Sequence, residues 1–323
     1  MSNMAADPRT LTPPTRVRYL VLLLLAFAPT CAYLTRIMSA ANTTIAAEFH
    51  VSDEVMGHVI AGFALGYFVF QIPGGIVAST WGVRGALPLM GIAWSLCAIW
   101  SSLASTPTEL QYSRVAIGVA QAGMVPCCAQ ALAQWIPVKR RGIASAVMVG
   151  SMQLGAIIAT GLTAKLLEPI GWRAVLQIYA GVGIVWAIVF YLSFRNRPEE
   201  HTWVNEAERE LIGQDRATAV VTTTSAGSPS APDNSQRDSD TPGPASKRWL
   251  VFQVFASVTL WAFYIQAVFR AYGYEFFTTW APAFLEKGYG LDREQAGVLS
   301  SLPVGAVGVG SVFAGFIVDA LLV

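Results

Sequence analysis

Three arginines stand inside long apolar stretches of this chain. Arg36 follows the break at Pro29, Arg114 shares a helical face with Gly118 and Gln121, and Arg270 has Gln266 and Tyr274 one turn away. A charge at bilayer depth costs about 2.5–3.5 kcal/mol on insertion scales, so it persists where it faces a cavity or a partner. The first six apolar stretches hold no interior Asp or Glu. Glu48, Asp53 and Glu54 fall in a loop, Glu109 and Glu168 at stretch ends, and Glu275 is the one clear intramembrane carboxylate. A planar guanidinium without a protein carboxylate prefers a bidentate oxyanion, so the chemistry to expect is capture of an organic carboxylate. Two alternatives stand beside this reading: the arginines are held by backbone carbonyls, glutamines and water, or they snorkel to a membrane edge. Glu275 either carries a coupling proton, pairs with Arg270, or lies in an outer vestibule.

The remaining reactive side chains assemble into nothing catalytic. Cys31, Cys97, Cys127 and Cys128 lie in apolar stretches without metal-ligand spacing. His50, His58 and His201 are too dispersed for a metal site or a catalytic base. No Gly-x-x-x-x-Gly-Lys phosphate loop occurs. The expectation is therefore no enzyme, no metal and no cofactor, with a coupling proton or sodium as the only ion. A formal charge of +1 implies no nucleic-acid partner.

Composition says what must position these groups. The 323 residues are 54% hydrophobic and 13% charged, against about 45–50% and about 25% in soluble domains. Eight stretches approach the roughly 20 apolar residues that a spanning helix needs: 18–40, 56–79, 85–105, 109–136, 143–167, 172–195, 256–285 and 295–319. Many contain Gly, Pro or single polar residues, as helices do when they pack closely or line a cavity. Most Lys and Arg outside the stretches fall on the side of the N-terminus and of the linker after residue 198. The positive-inside rule makes both cytoplasmic. The expected layout is a cytoplasmic N-terminus (1–17), an all-α six-helix membrane bundle (18–198), a cytoplasmic linker (199–248) and a further two-helix part (249–323). Within the linker, 199–213 can form a short charged helix, and 214–248 is too polar to fold.

The chain repeats at an offset of 240. Phe49, Ser52, Glu54, Gly57 and Gly75 correspond to Tyr289, Asp292, Glu294, Gly297 and Gly315, and Ser52 and Asp292 suit helix N-caps. The loop after the second span reads Gly75-Ile-Val-Ala-Ser79-Thr80-Trp-Gly82-Val-Arg84, and its copy Gly315-Phe-Ile-Val-Asp319. This pattern resembles the major facilitator superfamily, whose two six-helix halves are related by an axis along the membrane normal. Tyr33-Leu-Thr-Arg36, Gln71-Ile-Pro-Gly-Gly75, Arg114 with Gly118 and Gln121, Trp135-Ile-Pro137, Gly171-Trp-Arg173, Asn196-Arg-Pro-Glu-Glu-His201 and Arg270-Ala-Tyr-Gly-Tyr274-Glu275 narrow the resemblance to its anion:cation symporter branch, with hexuronate, galactonate and phthalate permeases and sialin-like carriers.

The resemblance implies a fold and a task. The fold is the major facilitator fold, a six-helix N-terminal bundle plus the first two helices of a second bundle. A full member has about twelve spans, so it implies a C-terminally truncated carrier that transports poorly on its own, a complete eight-span protein being the alternative. The task is secondary, alternating-access transport of small organic anions, sugar acids such as hexuronates among them. A phosphate or phosphorylated-anion carrier and a non-transporting membrane protein are the rivals. Arg36 takes the role of binding the substrate carboxylate, with Tyr33, Tyr67 and Gln153 around it and Arg114, Gln121, Arg270 and Tyr274 as further substrate-binding candidates. Gly75, Gly82, Arg84, Gly315 and Asp319 form the conformational motif. Thr35 and Gln121 stand where proton-coupled members carry acids, which directs any coupling to Glu275. The expected setting is the plasma (inner) membrane, multi-pass and monomeric, with the lipid bilayer and a small organic anion as partners.

Overall fold

The computed structural model describes residues 13–36, 38–213 and 257–321, excluding the side chains of 38–40, 275, 278, 279, 293, 294, 318, 319 and 321. The polar linker segment expected to be unfolded lies outside these residues. The described chain is helical. In order come α1 (Val17–Leu34), α2 (Met38–Glu48), α3 (Asp53–Trp81), α4 (Val83–Leu103), α5 (Pro107–Gln121), α6 (Met124–Trp135) and α7 (Arg141–Ser193). A 3-10 turn at Pro198–Glu200 and a short helix over 206–213 follow. The last part holds α8 (Val258–Glu275), a π-helical turn (Phe276–Trp280), α9 (Ala281–Tyr289) and α10 (Arg293–Leu321).

Local chemistry starts and stops these helices. Ser52 caps α3 by accepting from the Val55 N–H, and Thr106 caps α5 by accepting from the Glu109 N–H, with Pro107 at the first helical position. Helix α7 has 53 residues, about 80 Å at the α-helical rise and more than twice the hydrocarbon thickness. It is broken at Gly171, whose φ of 74° and ψ of 159° suit only glycine. Its two arms are the expected fifth and sixth spans. With α1–α2, α3, α4, α5–α6, α8–α9 and α10, they fall on the eight stretches read from composition. Six described helical segments are long and apolar enough to cross a membrane, α7 being one of them; the α8–α9 stretch is more polar.

Three spans differ from simple rods. The first breaks at Thr35–Arg36, the fourth at Ala122–Gly123, and the seventh passes through the π-helical turn. The first break lies among polar residues bonded to span four, and the second brings Gly123 against Gly74 of span two. The first bundle packs on large rings and small backbones. Trp94 stacks on Trp186 at 5.9 Å, and the Trp186 indole N–H donates to the Leu24 carbonyl at 3.0 Å. Spans two and four touch through glycine. A Cβ on Gly66 would fall 2.2 Å from the Val115 carbonyl oxygen, and one on Gly118 would fall 2.2 Å from that of Phe63. Span eight lies along span five, where a Cβ on Gly315 would meet the Ala146 Cβ at 2.6 Å.

Candidate functional site: an arginine in a broken helix

A helix that stops inside a membrane leaves carbonyls without N–H partners, and something must satisfy them. At the end of α1 the fourth span does so. Gln121 Nε2 donates to the Ala32 carbonyl at 3.2 Å and to Thr35 Oγ1 at 3.0 Å, while Thr35 Oγ1 donates to the Ala32 carbonyl at 2.8 Å. Arg114 Nη1 donates to the Thr35 carbonyl at 3.1 Å. The turn closes when the Arg36 N–H donates to the Tyr33 carbonyl at 2.9 Å. Sequence reading foresaw a polar face on span four but not that it caps span one.

The turn aims Arg36 inward. Its Nε and Nη2 donate to Gln121 Oε1 at 3.2 and 3.0 Å. Its guanidinium carbon lies 4.2 Å from the ring centre of Phe63, 4.4 Å from that of Tyr33 and 5.9 Å from that of Tyr67. The negative ring faces favour the charge without neutralising it. Arg114, 3% exposed, approaches the same Phe63 ring at 5.6 Å. No ion pair to Arg36 occurs among the described residues.

These groups line a cavity of about 700 Å³ between the first six spans and the last two. Tyr33, Arg36, Phe63, Tyr67 and Arg114 form one wall; Tyr272, Tyr274, Phe277 and Trp280 with Ser300 and Ser301 form the opposite one. Thr160 and small apolar residues of span five join them. Tyr274 crosses between the parts, its hydroxyl donating to Gln153 Oε1 at 2.6 Å. At the face bearing the 49–52 loop, Lys287 Nζ lies 2.5 Å from Asp53 Oδ2.

Of the expected site residues, Tyr33, Arg36, Tyr67, Arg114 and Tyr274 meet at the cavity. Gln121 and Gln153 stand behind its surface, 0% and 6% exposed, bonded to Arg36 and Tyr274. Arg270 is exposed on α8 and does not line the cavity, whereas Val268, Ala271, Tyr272 and Tyr274 of the same helix do. The side chains of Glu275 and Asp319 lie outside the described residues. In the stretch expected as a conformational motif, the Arg84 N–H donates to Asn196 Oδ1 at 2.9 Å and Arg84 Nε to the Tyr191 carbonyl at 3.3 Å, tying the loop after span two to the exit of span six. Gly82 has φ 72° there. A Cβ on Gly75 would meet Pro126 in ordinary contact at 3.8 Å. Phe63 was not foreseen, although it precedes Tyr67 by one helical turn on the same face.

The Major Facilitator Superfamily model matches residues 22–322. The chain is 24% identical over 94% of its length to the probable sulfoacetate transporter of Cupriavidus necator, and 27% identical over 95% to the probable L-galactonate transporter of Escherichia coli. It is also 23% identical over 93% to the hexuronate transporter of Escherichia coli. It spans 65%, 63% and 65% of those relatives, a little under two thirds. Its fold resembles the inward-facing, unoccupied crystal structure of a bacterial homolog of the human lysosomal transporter Spinster, with a TM-score of 0.66 at 21% identity over 90% of this chain and 60% of that one. With a family match over nearly the whole chain and a fold to go with it, the chain belongs to the Major Facilitator Superfamily.

Proposed function

We propose that the cavity binds a small organic anion by its carboxylate and that the protein serves secondary, alternating-access transport of such anions, sugar acids among them. One observation carries this reading: Arg36 projects into a cavity of about 700 Å³ with an amide and aromatic rings around it and no carboxylate partner among the described residues. A guanidinium so placed gains most from a ligand that brings its own oxyanion. Relatives named for sulfoacetate, galactonate and hexuronate transport support the ligand class. In this reading the N-terminus and linker are cytoplasmic in the plasma membrane, the protein is a monomer, and a coupling proton, if used, resides on Glu275.

A second reading, an inorganic phosphate carrier, has support from a 26% identical putative inorganic phosphate cotransporter of Drosophila melanogaster. The cavity favours the organic ligand, because aromatic and small apolar residues make up most of its lining and phosphate offers no apolar surface to them. Thermal stabilisation of the full chain by D-galacturonate, L-galactonate, sulfoacetate and inorganic phosphate tests both. Stabilisation by an organic acid that Arg36→Ala abolishes is expected. Stabilisation by phosphate alone would select the second reading, and stabilisation indifferent to Arg36→Ala would defeat both.

A further inference from the structure

We propose that Gln121 is the positioning residue of the anion site: a neutral amide that grips Arg36 by one edge, leaves the other edge to the ligand, and lets the anion bind without proton uptake or release by the surrounding network. This rests on the reading of Arg36 as the carboxylate anchor.

The orientation of Gln121 is dictated by its neighbours. Its Nε2 faces two acceptors, the Ala32 carbonyl and Thr35 Oγ1, and the Thr35 hydroxyl hydrogen is already directed at the Ala32 carbonyl. Flipping the amide would set carbonyl against carbonyl and NH₂ against guanidinium, so Oε1 must face Arg36. That oxygen accepts from both Nε and Nη2. Only one side of the fork is consumed, which leaves Nη1 and the second Nη2 hydrogen as a parallel pair for a bidentate carboxylate. Gln121 is fully buried and does not line the cavity. It acts through Arg36 rather than on the ligand.

The network also lacks a proton-exchanging group. Among the described residues, the groups around Arg36 are the amide of Gln121, the hydroxyl of Thr35, the phenols of Tyr33, Tyr67 and Tyr274, the Arg114 guanidinium and, beyond Tyr67, the Cys128 thiol. None of these side-chain types ordinarily titrates between about pH 5.5 and about pH 8. A carboxylate at position 121 would bond Arg36 but set an oxygen against the Ala32 carbonyl, and it would neutralise Arg36 and compete with the ligand until protonated. The amide supplies the geometry without the competition.

The test is equilibrium binding of D-galacturonate to the full chain at about pH 5.5 and about pH 8, where the probe's carboxyl stays ionised. It is made in a Glu275→Gln background, so that the seventh span contributes no slope. With Gln121 present the dissociation constant should change less than about twofold. Gln121→Glu should weaken binding about tenfold or more at the higher pH and recover most of it at the lower one. Gln121→Leu should weaken binding equally at both, since it removes the grip and adds no proton site. A pH slope with Gln121 in place, or a flat profile at full affinity for Gln121→Glu, would overturn the proposal. Arg36→Ala separates the two claims. Undiminished binding in that variant defeats the anchor reading itself, whereas lost binding together with a flat Gln121→Glu profile defeats only the role of Gln121.

Discussion

Arg36 is held by contacts of two kinds, and they differ in what they contribute. The bonds to Gln121 set direction. The rings of Phe63, Tyr33 and Tyr67 set the local field, and Phe63 lies closest at 4.2 Å. A cation over an aromatic face gains about 0.5–2 kcal/mol, more when desolvated. Phe63→Leu keeps the bulk and loses the quadrupole. It should weaken Arg36-dependent binding of D-galacturonate by about 2- to 30-fold, with Phe63→Tyr close to wild type; equilibrium binding of the three proteins checks this. The arginines were legible in the sequence because a charge inside an apolar run demands a reason. Phe63 was not, because an aromatic residue in a membrane helix packs by default. Gln121 was legible as a polar residue but its place behind the cavity wall was not, since one-dimensional spacing does not tell a cavity-facing side chain from one that faces the end of a neighbouring helix.

The rings and the guanidinium stay in register because spans two and four approach at van der Waals contact. Gly66 and Gly118 make that approach reciprocal: each would drive a Cβ to 2.2 Å from a carbonyl oxygen of the other helix, a distance no side chain tolerates. Phe63 and Arg114 lie one turn from these glycines on the same two helices, so separating the helices moves both. Gly118→Ala should destabilise the chain by about 1–3 kcal/mol through overpacking and weaken anion binding in the same variant. Gly161→Ala, where nothing lies within 4 Å, should be neutral or stabilising by up to about 1 kcal/mol. Thermal unfolding of both variants decides whether the contact or the glycine content matters. Spans were readable to within a few residues because twenty apolar residues leave little freedom. The breaks at Thr35–Arg36 and Phe276–Trp280 were not readable. Whether a helix stops at a threonine depends on who satisfies its carbonyls, and here Gln121 serves that of Ala32 and Arg114 that of Thr35, 89 and 79 residues away.

Across the whole molecule the two faces are fastened unequally. At the 49–52 face, Lys287 and Asp53 are more than half exposed, so their pair contributes about 0–1 kcal/mol. At the other face Glu208 is fully buried against the start of α1. It accepts from the Val17 and Arg18 N–H groups at 3.3 and 3.2 Å and from Arg18 Nη1 at 2.9 Å. A carboxylate at a helix N-terminus, bonded to backbone donors and to a guanidinium, is costly to remove, and Glu208→Ala should destabilise by about 3–5 kcal/mol and expose residues 199–213 to limited proteolysis. The charged linker helix was expected from the sequence; its dock on α1 was not, because the contact joins residues 190 apart. Beside this clasp His201 is buried with its ring edge-on to Trp135, centroids 5.6 Å apart. Its Nδ1 accepts from the Trp203 N–H at 3.2 Å, so the proton must sit on Nε2, 3.0 Å from the Ser193 carbonyl. Burial pushes this ring below the ordinary histidine value; the Ser193 carbonyl works against that, Arg195 adds to it, and Glu208 opposes it without reversing it. As pH falls, the unfolded chain therefore takes up the proton first. The stabilisation is complete above the ordinary value of about 6.5 and is lost as pH drops from there toward the lower folded value. His201→Asn keeps an acceptor for the Trp203 N–H and cannot be protonated. Melting temperatures of the full chain measured from about pH 8 down to about pH 5 should fall more steeply for wild type than for His201→Asn. Parallel curves would mean that the linker clasp does not sense the proton at His201.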